Sequence, residues 1–306
     1  TSNNEMLLKN PAIFHYLAQF CYTRRGDAPD MFFGRIVDSF NLFVFDEFHI
    51  FEIPQSVSVV NALLLIREIR RSKQFLFLSA TPELLVKEYL EMAGFRVKVI
   101  EPQKEGWYLH SIDKMDNQQW RSILQGSDIH FWKISPDHRI EEWIEVNLDG
   151  VVLRFFRENP KGAKGALIVN SVASAYRLYA KLKPVFEANN LRASLNTGLT
   201  GEDSKRNSLE ADLLIGTSTI DVGVDFRINF LIFETRDAGT FLQRLGRLGR
   251  HTTDDHGNAF SAYEAHALIP GFVYERLFEG EKDNPALLQG DAVTTRETLS
   301  KAIPLA

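Results

Sequence analysis

The 306-residue chain is short of several things at once. It has one cysteine, Cys21, so an internal disulfide is impossible. That residue sits in an apolar helical pattern with no metal-ligand spacing around it, and core packing is the expectation. No window approaches the roughly 18 apolar residues of a membrane span, and the first residues show no signal-peptide pattern. No membrane partner is therefore expected, and the cytoplasm is the default location. Positive charge is not in excess: 35 Lys and Arg against 40 Asp and Glu give a net charge of −5. That balance argues against indiscriminate binding to polyanions, while a local basic channel stays open. Also missing is any G-x-x-x-x-G-K-[ST] loop, whose backbone amides and lysine cradle phosphates. Pro160–Gly165 (P-K-G-A-K-G) comes nearest, but no Ser or Thr follows it and it precedes a strand pattern, so it reads as a turn.

What is present starts with Leu42–His49, L-F-V-F-D-E-F-H. Four apolar residues without polar alternation predict a strand buried on both faces of a parallel sheet. Asp46 and Glu47 then fall at its carboxyl end, where open α/β sheets place their ligand crevice. Adjacent carboxylates suit phosphoryl transfer, one holding Mg2+ and the other orienting the attacking water; a strand running into a solvated acidic turn is the plainer alternative. Leu76–Pro82 (L-F-L-S-A-T-P) is a second such run, delivering Ser79, Ala80 and Thr81, which can equally cap a helix opened by Pro82. Arg244, Arg247 and Arg250 recur every three residues, with Gly246 and Gly249 between them. On a helix such arginines share a face, and a row of planar guanidinium forks suits phosphate oxygens. The plainer reading, a solvated basic helix, leaves the two glycines without a purpose.

Around these stretches the order of elements is β/α. A helix over Pro54–Ser72 ends in Arg67, Arg70, Arg71 and Lys73, read first as charges favoured by the helix dipole. A helix over Leu84–Ala93 and a strand over Arg96–Ile100 complete a first domain, 1–103. Residues 104–149 form a connecting segment of uncertain structure that holds Trp107, Trp120, Trp132 and Trp143, with packing preferred over base stacking because no basic residues are interleaved. A second domain follows over 150–270, with strands at Ala166–Val169, Arg192–Leu195, Leu213–Ile215 and Phe230–Glu234, and 271–306 is a C-terminal extension. Asp137-His138 and Asp255-His256 raise the question of a metal-dependent nuclease, but two isolated pairs in polar loops are expected to be solvated.

D-E-x-H, S-A-T and Q-R-x-G-R-x-G-R, in that order, resemble the superfamily 2 helicases of the DExH type. The resemblance implies an α/β fold of two RecA-like domains with parallel sheets flanked by helices, the first truncated at its N-terminus because the phosphate loop is missing. It implies ATP and Mg2+ as cofactors, with Asp46 holding the metal through water and Glu47, Gln243, Arg247 and Arg250 catalytic. His49, Ser79 and Thr81 would couple nucleotide state to domain closure. Gly216–Phe226 (G-T-S-T-I-D-V-G-V-D-F) resembles the family's fifth motif, putting Thr217 on a nucleic-acid phosphate and Gly223 and Asp225 at the nucleotide cleft. Asn170 and Ser171 would contact the nucleic-acid backbone, a role compatible with capping a helix. Within the helicases the chain looks most like the signature helicase of type I CRISPR interference, in its stand-alone subtype I-D form. The carriers are T-S-N-N-E-M-L-L at residues 1–8, the D-E-F-H and F-L-S-A-T-P stretches, Asn170-Ser171 and the fifth-motif stretch. That likeness implies single-stranded DNA, a guide-RNA surveillance complex and its nuclease-bearing subunit as partners. A DExH helicase of DNA repair or RNA processing is the alternative within the class, and a catalytically silent structural subunit of a nucleoprotein complex is the alternative outside it.

Overall fold

Apolar runs become parallel strands in both halves of the chain, and the halves differ in how many faces of each strand are covered. The computed structural model describes residues 30–46, 48, 53–79, 84–101, 105, 124–134, 140–197, 210–220, 226–235, 237–281 and 284–306. Cys21 with the helical pattern around it, Trp107, Trp120, Asp137 and His138 lie outside them. The chain divides into two units, 1–115 and 116–306.

In the first unit, α1 (Asp30–Ser39), β1 (Leu42–Phe45), α2 (Ile53–Ile69), β2 (Gln74–Phe77) and α3 (Leu84–Met92) follow one another. β1 and β2 pair in parallel, Phe45 opposite Phe77, with those rings stacked at 5.0 Å. Side chains alternate along a strand, and Phe43, Phe45, Phe75 and Phe77 meet Phe33 and Val37 of α1, Val59, Leu63 and Ile66 of α2, and Leu90 of α3. The other face is open: Leu42 and Val44 are each 50% exposed. Burial of β1 on both faces, expected from its unbroken apolar run, is thus not met, because all three helices pack on the phenylalanine side. The strand expected over Arg96–Ile100 is irregular chain. Phe95 packs edge-on against Phe75 at 5.8 Å, so the side-chain pattern is genuine, but a strand also needs a hydrogen-bonded neighbour and this stretch has no ladder. The basic end of α2 is tied locally, Arg67 donating to the Ala93 carbonyl at 2.6 Å and Arg70 pairing with Asp38 at 3.0 Å.

The second unit runs β3 (Asp128–Ile134), α4 (Ile140–Asn147), a π-helical turn (Leu148–Leu153), α5 (Arg154–Glu158), β4 (Gly165–Ile168), α6 (Val172–Ala188), β5 (Ala193–Asn196), β6 (Leu213–Gly216), β7 (Phe230–Glu234), α7 (Ala238–Leu245), β8 (Glu264–Pro270), α8 (Gly271–Tyr274), a second π-helical turn (Glu275–Glu279) and α9 (Arg296–Ala302). The six strands lie in the order β3-β8-β7-β4-β6-β5, and every pairing is parallel. Leu167, Ile215, Phe230 and Ile232 point to one face, against Ile144, Phe155, Leu178 and Phe186. Ile168, Leu214, Leu231 and Phe233 point to the other, against Phe241, Leu245, Leu299 and Ile303. Both faces being covered, β4 and β6 are buried throughout.

β3 and α4 fall inside the segment 104–149 that the sequence leaves unassigned, and they belong to this sheet. Trp132 and Trp143 meet edge to face at 5.3 Å, a packing contact. Trp132 Nε1 also donates to His266 Nδ1 at 3.0 Å. His266 Nε2 faces Glu264 Oε1 at 2.8 Å, and Arg154 Nη2 donates to the same oxygen at 2.6 Å. Burial pushes the His266 imidazole below its ordinary range. For Glu264 burial acts upward, but the His266 hydrogen bond and the charges of His266, Arg154 and His130 outweigh it and hold the carboxyl low.

Candidate functional site

In the first unit the parallel pairing brings Asp46 and Ser79 to one edge. Asp46 follows β1 directly and is exposed; Ser79 stands two residues beyond β2 and is half-buried. The edge is held by Leu78, whose N–H donates to Phe45 O at 2.9 Å and whose carbonyl accepts from Phe48 N–H at 3.0 Å. Glu47, His49 and Thr81, expected at the same edge, lie outside the described residues. An exposed carboxylate at a strand end fits Mg2+, which keeps several waters and takes one or two carboxylates plus substrate phosphates. Among the described residues no group of three or more His, Cys, Asp or Glu can hold a metal. Asp255 instead pairs with Arg227 at 3.3 Å, and the His256 N–H donates to Asp254 Oδ1 at 2.9 Å.

The second unit gathers its polar residues at the carboxyl edge of the sheet. Asn170 and Ser171 come just after β4, Thr217 after β6 and Thr235 after β7. Ser171 caps α6, its hydroxyl accepting from Ser174 N–H at 3.4 Å. Thr217 is buried, its hydroxyl 3.2 Å from that of Thr219. Gly216 is obligatory beside it: a Cβ there would lie 2.2 Å from the Asn196 carbonyl oxygen. Gly223 and Asp225 lie outside the described residues.

The arginine stretch reaches this same edge. Asp237 caps α7 by accepting from Thr240 N–H at 2.7 Å, the kind of N-cap that the sequence D-A-G-T offers. Arg244, buried near the last turn, donates from Nη1 to Asn170 Oδ1 at 2.9 Å and to the Glu234 carbonyl. Asn170 is exposed, and with Oδ1 engaged its Nδ2 hydrogens remain for an acceptor such as a phosphate oxygen. The three arginines do not share one helix, since α7 ends at Leu245. Gly249 turns the chain with φ +76, and a Cβ there would lie 3.0 Å from Gln125 N, so that close approach and positive φ both call for glycine. Arg247 is buried at 8% exposure, Gln243 is half-buried, and Arg250 is exposed with Nε donating to Gly246 O at 2.7 Å. The tie from Arg244 to Asn170 spans 74 residues and carries no sequence signal.

A parallel sheet covered by helices on both faces, with polar residues and an arginine turn at its carboxyl edge, has the form of a RecA-like α/β domain. The solved structure of an Mss116p deletion variant bound to single-stranded RNA and AMP-PNP shows that fold: TM-score 0.54, 13% identity, 96% of this chain covered and 55% of that chain. Residues 161–253 match the family model for the CRISPR-associated nuclease/helicase Cas3, C-terminal region. T. fusca Cas3 with AMPPNP aligns at 18% identity and TM-score 0.49, covering 86% of this chain and 31% of that one. A CRISPR RNA-guided surveillance complex in a pre-nicking state aligns at 17% identity and TM-score 0.46, covering 84% and 33%. The chain thus spans about a third of the Cas3 length it matches. No curated protein matches the sequence.

Proposed function

We propose that this chain is part of an ATP-driven translocase on single-stranded DNA, working in type I CRISPR interference beside a guide-RNA surveillance complex and its nuclease-bearing subunit. The match over 161–253 supports the class. The observation that carries the mechanism is the hydrogen bond from Arg244 to Asn170 at 2.9 Å: it joins the residue proposed to meet a nucleic-acid phosphate to the helix whose continuation bears Arg247 and Arg250. Movement at one is felt at the other. Asn170, Ser171 and Thr217 hold the strand. Asp46 retains Mg2+ through water and Glu47 accepts a proton from the attacking water. Ser79, Thr81 and His49 link nucleotide state to closure, and Gly223 and Asp225 line the cleft. When bound, ATP and Mg2+ would supply the phosphoryl group and the charge that neutralises it, and Gln243, Arg247 and Arg250 would hold the transferred phosphate.

Arginines that stabilise a phosphoryl-transfer transition state are worth on the order of 10³–10⁵ in rate. In the complete protein, Arg250→Ala is therefore expected to lower DNA-stimulated turnover at least roughly a hundredfold with nucleotide affinity changed far less. Arg250→Lys should recover little, since a point charge does not reproduce the fork. Single-turnover ATPase assays beside equilibrium nucleotide binding decide it. An intact chemical step with salt-dependent loss of DNA binding would make the stretch a backbone clamp instead. Recruitment separates CRISPR interference from repair or RNA processing: the complete protein should prefer the R-loop complex, which exposes a displaced strand, over intact duplex at matched salt. Equal binding to both would count against the assignment.

A further inference from the structure

The C-terminal extension carries a residue that the motif-based reading leaves aside. Helix α9 is anchored on the second unit by Leu299, Ala302 and Ile303, which pack in the same cluster as Phe241, Leu245 and Leu248 around the arginine turn. Its first residue is Arg296. The Arg296 guanidinium reaches the turn itself: a Cβ built on Gly246 would lie 3.2 Å from Nη2. Arg250 reaches the same residue, donating from Nε to the Gly246 carbonyl at 2.7 Å. Two guanidinium groups from distant parts of the chain thus converge on one glycine. Among the described residues, Arg296 makes no ion pair with a carboxylate. Arg296 is exposed by surface area, yet its neighbours still work against its charge: partial desolvation first, then the neighbouring charge of Arg250, push the guanidinium below its usual range. Two like charges held together without a counter-ion form a site that an anionic group relieves, and two planar forks suit phosphate oxygens.

We propose that Arg296 and Arg250 together grip one phosphate group, so that the C-terminal helix contributes a phosphate-binding residue to the arginine turn. The proposal rests on the reading of Arg250 as a phosphate-contacting residue. The phosphate belongs either to the nucleotide or to the nucleic-acid strand, and one experiment separates the two. Binding of tripolyphosphate and of a thymidine oligonucleotide to the 306-residue chain is measured by calorimetry over a series of salt concentrations, for the wild type, Arg296→Gln, Arg296→Lys and Arg250→Ala.

Losing one charge-assisted pair of hydrogen bonds should weaken binding by about ten- to a hundredfold. Arg296→Gln is expected to lose that much for one of the two probes, and Arg296→Lys to recover only part of it. Loss for tripolyphosphate assigns the phosphate to the nucleotide. Loss for the oligonucleotide, with the slope of log affinity against log salt reduced by about 0.7, assigns it to the strand. Without anion, Arg296→Gln should melt no lower than the wild type, because removing one of two like charges costs nothing in the folded state; this guards against reading misfolding as lost binding. Unchanged affinity for both probes in Arg296→Gln overturns the proposal, as does a wild type that binds neither. If Arg250→Ala loses affinity while Arg296→Gln does not, the proposal alone fails. If Arg250→Ala is also silent for both probes, the shared grip fails, and the role of Arg250 in turnover is judged by the single-turnover assay alone.

Discussion

Arg244 should behave unlike the other arginines of its stretch, and replacing it separates a structural tie from a phosphate contact. Its side chain is 2% exposed and donates to Asn170 Oδ1 and to the Glu234 carbonyl, closing α7 onto the ends of β4 and β7. Hydrogen bonds from a charged donor contribute about 1.5–3 kcal/mol each, and truncation also leaves the half-buried Glu234 carbonyl without this donor. Non-additivity within one small network tempers the sum, so Arg244→Ala is expected to cost the second unit about 3 kcal/mol. A unit of this size shifts by about 2–4 °C per kcal/mol, giving a Tm lower by roughly 6–12 °C. Arg250→Ala removes one local bond from an exposed side chain, and surface changes of that kind stay within about 0.5 kcal/mol. Thermal unfolding of the 306-residue chain followed by circular dichroism compares the two. Equal shifts, or a shift under about 2 °C for Arg244→Ala, would show that the buried tie holds nothing in place and that Arg244 belongs with the ligand-facing residues.

Acidification should destabilise the second unit in two steps. His266 has a lowered folded-state pKa, so its contribution is complete above the ordinary histidine value of about 6.5 and is lost as pH falls below it. Glu264, also lowered, loses its share in the same direction below its ordinary value of about 4.3. Trp132 Nε1 can only donate, so it forces His266 Nδ1 to accept; Trp132→Phe removes that demand and should flatten the upper step in urea titrations between about pH 7.5 and 5.5. An unchanged slope in Trp132→Phe would dismiss the tryptophan as its cause. Residues 1–306, which contain no phosphate-cradling glycine-lysine loop, should bind ATP weakly and show no DNA-stimulated hydrolysis; robust turnover by the purified chain would refute this.

Much of the fold is visible in the sequence where burial is symmetric. β4, β6 and β7 are covered on both faces and read as unbroken apolar runs, Phe230–Glu234 with the bounds the structure gives it. β8 is equally buried, yet Glu264 and His266 interrupt its apolar run. Their polar atoms are answered by Arg154 and Trp132, 110 and 134 residues away, and no local pattern announces such partners. Arg96–Ile100 shows the converse, a fitting side-chain pattern without a ladder. The position of the candidate site at the carboxyl ends of strands follows from element order alone. The division of labour among its arginines does not: it depends on where α7 stops, and the positive φ at Gly249 bends the chain away from the helical face that a three-residue spacing suggests.

Strand order has a consequence for how the second unit comes into being. Among the described residues, β3 opens the unit but takes an edge place whose only neighbouring strand is β8, so the strand made first must wait for the strand made last. Roughly 130 residues separate Ile134 from Glu264, and at about 5–20 residues per second a ribosome needs on the order of ten seconds to supply them. Throughout that interval Phe131 and Trp132 have no β8 to pair with, and contacts closed over so long a loop form slowly even once both strands exist. The nascent chain therefore carries an aromatic edge strand in search of a partner, and a ribosome stalled before residue 264 would leave that edge available to whatever chain lies nearest.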